Sequence, residues 1–230
     1  HGGGVETGDA GGDQALDILL CDRGVAWPCR QQHGGARRAP RLGVDGQRVR
    51  LLQDQVHARA HDPVDLLEMD RVVLQFRMDT TYAFAADRLP EVVATLHPGY
   101  RVLQVEGHRG TWYRTLYFDT AARKHYFDHH NGRNFRSKVR FREYVGSGLC
   151  FLEVKRKTGR GGTDKVRVQV PEITETMSAG QRRFVAEASG CEAPLVPVLW
   201  NEFLRITFVH RERAERLTID QCLTFANEAG

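Results

Sequence analysis

The stretch KVRFREYVGSGLCFLEVKRKTGRGGTDKVRVQV, Lys138 to Val170, decides how the chain is read. It carries nine Lys or Arg against three acids, Glu143, Glu153 and Asp164. Two Gly-containing turns, VGSG and TGRGGTD, split it into three runs of alternating polarity, the pattern of strands joined by hairpins. Side chains alternate across a strand, so parity sorts them. Lys138, Arg140 and Arg142 share one face, and Val139 and Phe141 take the other. Glu153, Lys155 and Lys157 oppose Leu152 and Val154, while Lys165, Arg167 and Gln169 oppose Val166, Val168 and Val170. Later, Arg205 and Thr207 oppose Leu204, Ile206 and Phe208. Like charges on neighbouring strands repel, so a pattern repeated over four strands needs a compensating gain.

Two arrangements fit. In one, the apolar face covers a core and the basic face is solvated, as in many antiparallel sheets. In the other, the sheet closes with its cations inward and helices over its apolar face. A barrel of about eight strands can hold one ligand, and such a lining requires a polyanion, since like charges in a low dielectric repel strongly.

The wider composition narrows the field. The 230 residues are 41% hydrophobic and carry a net charge of +4, which says little about partners. Distribution says more. Residues 133–167 hold 11 of the 33 basic residues, and all five lysines lie between Lys124 and Lys165. No apolar run approaches the roughly 18 residues of a membrane span. The five cysteines form no CxxC pair, which argues against a disulfide framework or zinc module and for a reducing, cytoplasmic setting. No secretory signal is visible. The first residue is His rather than Met, as in a fragment, a processed product or a partial gene.

Residues 1–60 hold 11 of the 23 glycines and no lysine, and read as a poorly structured segment. From His61 to Gly230 the text is globular. DPVDLLEMDRVVLQ has helical spacing with Asp62–Pro63 as its start, and RMDTTYAFA reads as a short strand. ADRLPEVVATLHPGY reads as a helix ended by Pro98–Gly99. Strand-like runs follow at 100–105, 111–119, 137–144, 149–157 and 165–170, then a helix at 178–189 and strands at 203–211 and 216–223. Many antiparallel strands with about three helices predict an α+β fold built on one large sheet or barrel.

RTLYFDT (Arg114–Thr120), HHNGRNFRSKVRFREY (His129–Tyr144), FLEVKRKT (Phe151–Thr158), NEFLRITFV (Asn201–Val209) and ERLTID (Glu215–Asp220) together resemble the vacuolar transporter chaperone (VTC) domain. This is the polyphosphate-polymerase branch of the triphosphate tunnel metalloenzymes. The resemblance runs from about residue 61 to the end, in order. It implies an antiparallel β-barrel or tunnel with flanking helices. It also implies that the domain takes ATP and, with a divalent metal (Mn or Mg), transfers the terminal phosphoryl group to a growing inorganic polyphosphate chain. Tunnel triphosphatase activity, or non-catalytic binding of polyphosphate or inositol phosphates, are the alternatives. The residue chemistry agrees, because phosphoryl transfer asks mainly for positioning and charge stabilisation.

Carried onto this sequence, Arg140 and Arg142 match the family's paired phosphate-binding arginines and Lys155 its tunnel lysine. Arg205 matches the arginine near the reacting phosphate. Arg77 matches an N-terminal basic contact and Lys157 another phosphate contact. Lys138, Lys165 and Arg167 face the same way and are taken as phosphate-binding auxiliaries. Two departures stand out. The family pattern Arg-x-Asp-x-Lys-Tyr reads RMDTTY here, so Thr81 replaces a lysine. The chain also ends before the strand that carries the family's metal-binding glutamate and before its terminal Ser-Lys segment, so the barrel is expected to be incomplete. That leaves Glu153 as the metal candidate, with an ion pair as its rival role.

Other signals are weaker. His125 and His129 are four apart, but this spacing binds metal only on a helix with further ligands, and the stretch reads as a connection between strands. GRGG at 159–162 lacks a P-loop continuation. Nucleic acid is set aside because Phe141 and Phe151 do not share a face with the basic residues consistently. A membrane-protein partner and the oligomeric state leave no mark in the sequence.

Overall fold

The computed structural model describes residues 61–65, 68, 80–158 and 162–227, together with the backbone of 14–21, 78 and 79. In chain order the elements are β1 (Gln14–Cys21), β2 (Pro63–Val64), β3 (Met78–Ala85), a 3-10 turn (Ala86–Arg88), α1 (Leu89–Leu96), β4 (Tyr100–Leu103) and β5 (Thr111–Thr120). Next come α2 (Lys124–His130), β6 (Arg136–Tyr144), β7 (Leu149–Lys157), β8 (Thr163–Val170), α3 (Ala179–Ser189), β9 (Leu195–His210) and β10 (Glu215–Asn227). The α+β class expected from the sequence holds. None of the described helices is long and apolar enough to cross a membrane.

The chain divides into two compact units. The first draws on 1–23, 47–110 and 205–221, the second on 24–46, 111–204 and 222–230. In the first unit, β1 pairs in parallel with both β3 and β10, and β2 pairs in parallel with β4. β4 runs antiparallel to β9, with Val102 opposite Phe208. The sheet is thus mixed, with these parallel pairs beside the antiparallel ones that the sequence led us to expect. β1 comes from a distant part of the chain, so no hairpin dictates its direction. A correction concerns Asp62–Pro63, expected to start a helix. Pro63 and Val64 instead lie beside Val102 and Leu103 as a short strand. The remainder of that expected helix lies outside the described residues, apart from helical Glu68. The core of this unit gathers Leu89, Val93 and Leu96 of α1 with Tyr100, Val102, Ile206, Phe208, Leu217 and Ile219. The spacing i, i+4, i+7 along α1 puts its three buried residues on one stripe.

The second unit is built on neighbours in the order β9, β5, β6, β7, β8. β5 to β8 are antiparallel at each step. At the β6–β7 hairpin, Gly146 and Gly148 take φ of 87° and 67°, which side-chain-bearing residues rarely adopt. Parity sorts these strands as expected. Leu116, Phe118, Val139, Phe141, Leu152 and Val154 all point to one face, where Met177 and Val185 cover them. α3 packs on that face through Val185, Ser137 Oγ of β6 donates to the Ser189 carbonyl, and the helix ends are defined locally. Ser178 Oγ accepts from the Gln181 backbone N–H, Gln181 Oε1 accepts from the Ser178 N–H, and Gly190 ends the helix in the left-handed region. The cover is partial over β8, where Val166 and Val168 remain 43% and 39% exposed. Among the described residues β8 has β7 as its single sheet neighbour, and in the first unit β3 has β1.

The one-sided core makes a contrast that can be measured. Phe141→Ala, at a fully buried site, is expected to cost about 3–5 kcal/mol in urea unfolding. Val166→Ala, on the exposed part of β8, should change stability by no more than about 0.5 kcal/mol. Equal costs at the two positions would contradict the described packing.

Candidate functional site: a cationic sheet face

The face of β5–β8 opposite α3 collects the charged residues in cross-strand rows. Lys138 stands opposite Lys155, and Lys155 opposite Lys165. Arg140 stands between Tyr117 and Glu153, and Glu153 faces Arg167 on its other side. Arg142 lies between Thr115 and Phe151, and Phe151 faces Gln169. At the far end of the hairpin, Arg136 faces Lys157. The sequence-derived set Lys138, Arg140, Arg142, Lys155, Lys157, Lys165 and Arg167 is therefore brought onto one surface.

Its anchor is Glu153, which is fully buried. Glu153 Oε2 accepts from Arg140 Nε at 2.9 Å and from Arg140 Nη2 at 2.7 Å, and Oε1 lies 2.8 Å from Lys165 Nζ. Burial alone would raise this carboxyl, but Arg140 and Lys165 hold it down to about 2. Arg140 is itself buried, and its Nη1 reaches the Tyr117 hydroxyl at 3.3 Å. One carboxylate thus fixes the plane of Arg140 and tethers Lys165, and it cannot neutralise the whole face. Lys155 registers the surplus. Its burial, followed by the charges of Arg140, Lys165 and Arg142, lowers its ammonium pKa to about 8 despite Glu153. Tyr117 registers it too. Burial would raise the phenol, yet Arg140, Arg142 and Lys138 pull it below its ordinary value.

Arg142 is held by different means. Its guanidinium lies 5.2 Å from the Tyr113 ring centre and 5.8 Å from that of Phe203, and Tyr113 stacks on Phe203 at 5.1 Å. Nε donates to Thr115 Oγ1 at 3.3 Å. Arg167 sits over the Phe151 ring at 4.5 Å. Phe141 is in the core, whereas Phe151 has the parity of Glu153 and belongs to the cationic face, so the two lie on opposite faces.

In the first unit, Arg205 grips Asp220 with two bonds, Nε to Oδ1 at 2.6 Å and Nη2 to Oδ2 at 2.7 Å. Asp220 was missed as a partner. The parity of ERLTID could have flagged it as a carboxylate facing an arginine strand. Thr81, at the position of the family lysine, is exposed on β3. Arg77 lies outside the described residues.

For a metal, the donor set is poor. Among the described residues no three His, Cys, Asp or Glu side chains converge. Both oxygens of Glu153 are engaged by cations, the ion-pair role weighed against metal binding. The His125–His129 segment differs from expectation in that it is a helix. Asp119 organises it, its carboxylate accepting from the backbone N–H groups of Thr120, His125 and Tyr126. Burial, with Lys138 and Arg136 nearby, lowers His129 to about 4, so its imidazole is neutral at pH 7.

No curated protein matches the chain. Among solved structures, a Hippeastrum protein assigned as an adenylyl cyclase, HpAC1, for which a dominant triphosphatase activity is described, is similar at 18% identity and a TM-score of 0.38. The similarity covers 56% of this chain and 65% of that one, so this chain spans less than two thirds of its length. A family model of the VTC domain matches residues 76–229. That span includes every strand of the cationic face, and the chain belongs to the VTC domain family.

Proposed function

We propose that the cationic face of the second unit binds the phosphates of a nucleoside triphosphate or polyphosphate. On this reading the domain transfers a terminal phosphoryl group from ATP to a growing polyphosphate chain. The observation that carries the proposal is the surplus of fixed positive charge: Arg140, Arg142, Lys155, Lys165 and Arg167 share a surface with one engaged carboxylate. Such a surface is costly until an anion covers it. Arg140 is pre-oriented by Glu153, and Arg142 by the Tyr113 and Phe203 rings. Two arginines with fixed planes present donors in a geometry suited to phosphate oxygens, and need little reorganisation as charge develops. Lys155 supplies a point charge beside them. In the first unit Arg205, which the resemblance assigns to the reacting phosphate, is braced by Asp220.

Family members use a divalent cation in this reaction, where it would offset negative charge on the phosphates. The described residues do not form a site for one. That mismatch, with Thr81 in place of lysine, favours a second reading in which the face binds phosphate chains without turnover.

The assay is incubation with ATP and manganese, followed by detection of acid-stable polyphosphate. Arg140→Ala should lower synthesis by roughly 100-fold or more, the scale seen when one preorganised donor is removed from developing charge. Arg140→Lys keeps a charge beside Glu153 but not the planar fork, and should also be impaired. Free phosphate as the sole product would replace polymerase by triphosphatase. Tight tripolyphosphate binding with no product would leave the binding module.

Lys155 predicts a pH dependence. Its ammonium is charged below about 8 in the free protein, so tripolyphosphate affinity should fall as pH rises through that value. Lys155→Arg stays charged and should flatten the fall, with the ligand's own titration common to both proteins. The same shift has a stability sign. The folded pKa lies below the ordinary 10.5, so the cost of the buried charge is fully present below about 8 and is relieved between there and 10.5. Identical pH profiles for wild type and Lys155→Arg would remove Lys155 from the site.

A further inference from the structure

Away from the cationic face, the first unit buries a group of titratable side chains that the proposed reaction does not use. His61, just before β2, is 3% exposed, and its ring meets His97 and Phe208 edge-on, at centroid distances of 5.5 and 5.3 Å. Phe208 belongs to the core shared with α1, so by strand parity His61 lies on the face of β9 opposite Arg205. Arg211 ties the surrounding chain together. Its Nη2 donates to Asp62 Oδ2 at 2.6 Å, its Nε to the Pro98 carbonyl at 2.7 Å, and its backbone N–H to the Gly99 carbonyl at 3.0 Å. Arg109, half-buried, follows the turn closed by the Val105–His108 bridge and donates from Nε to Gln104 Oε1 at 3.0 Å. Three polar atoms here are stranded. Among the described residues neither ring nitrogen of His61 nor Nη1 of Arg109 has a hydrogen-bond partner, although all three are shielded from solvent. A neutral imidazole carries one donor and one acceptor, and burying such groups unpaired is costly. The charges around them are one-sided. Burial, then the charges of His97, Arg109 and Arg211, hold His61 below its ordinary value, and Asp62, already bonded to Arg211, offsets them only in part.

We propose that His61, Arg109 and Arg211 form a seat for a small free oxyanion of the sulfate or orthophosphate type, with His97 at its exposed side. One such ion can accept from the stranded His61 N–H and from Arg109 Nη1 together, and a charged acceptor makes both bonds strong. Arg211 adds charge and keeps the Asp62 and Pro98 segments in place. A metal does not fit, since among the described residues no three His, Cys, Asp or Glu side chains converge. His61 is almost wholly enclosed, so the seat takes a separate ion and not an internal unit of a chain. The seat shares no residue with the phosphate-binding face and does not depend on that reading. Anion binding and protonation of His61 support each other. An imidazolium donates from both nitrogens, and the anion offsets the repulsion exerted by His97, Arg109 and Arg211. Affinity therefore rises as the pH falls through the range in which His61 takes up its proton.

The test follows the imidazole resonances of the full chain, prepared with isotope-labelled histidine, as sulfate is added across a range of pH. Sulfate is the probe because its charge is constant near neutral pH. Saturation should raise the His61 pKa by about one unit or more, the effect of a close opposite charge. Arg109→Gln should weaken sulfate binding at His61 roughly tenfold or more, the loss of one charge-assisted bond. Arg140→Ala, on the cationic face, should leave that binding unchanged. Inorganic phosphate should move the same resonance. The wild-type titration decides even where Arg109→Gln folds poorly: a His61 signal that ignores sulfate at every pH would overturn the seat and leave enclosed water as the partner of the ring. A response of equal affinity in folded Arg109→Gln would overturn it too. Tripolyphosphate acting on His61 at lower concentration than sulfate would replace the small-ion seat by one for the end of a chain.

Discussion

A carboxylate that water cannot reach, held between a guanidinium and an ammonium, governs the second unit. Burying Glu153 alone would be prohibitive, and burying Arg140 alone equally so; each makes the other admissible. Their pairing needs β6 and β7 in one register, because a slip by one residue would send Glu153 into the hydrophobic core and Leu152 onto the charged face. The core on the α3 side enforces the same register from behind, through Phe141, Leu152 and Val154. The electrostatic and hydrophobic requirements therefore select one pairing.

That coincidence explains why the second unit was legible from sequence. Period-two alternation over β6, β7 and β8 specifies two faces, and the turns between them specify order, so the cationic surface follows from the residue pattern alone. The first unit was less so. β1 joins its partners in parallel from a distant segment, and no turn chemistry announces such a contact. Pro63 and Val64 are too few to show a period. α2 was hidden for another reason. Its seven residues are mostly aromatic and histidine, weak helix formers, and the helix depends on Asp119 capping from the end of β5.

Within the site, residue types and faces were legible, but partnerships were not. Parity put Arg140 and Glu153 on one surface, yet only register shows that Glu153 serves Arg140 and Lys165 together. The aromatic bracing of Arg142 draws on Tyr113 and Phe203 from separate strands, a long-range contact with no local signature. Asp220 escaped notice because it follows Arg205 by 15 residues across a turn.

The choice of lysine over arginine has a chemical corollary. Side-chain primary amines occur in this chain between positions 124 and 165 and nowhere else, and three of the five line up across the cationic face. Lys155, whose ammonium is weakened by its surroundings, holds a larger share of free amine at neutral pH than an ordinary lysine. Amine-directed labelling of side chains therefore reports on one short segment of the chain, where its positive charge is concentrated.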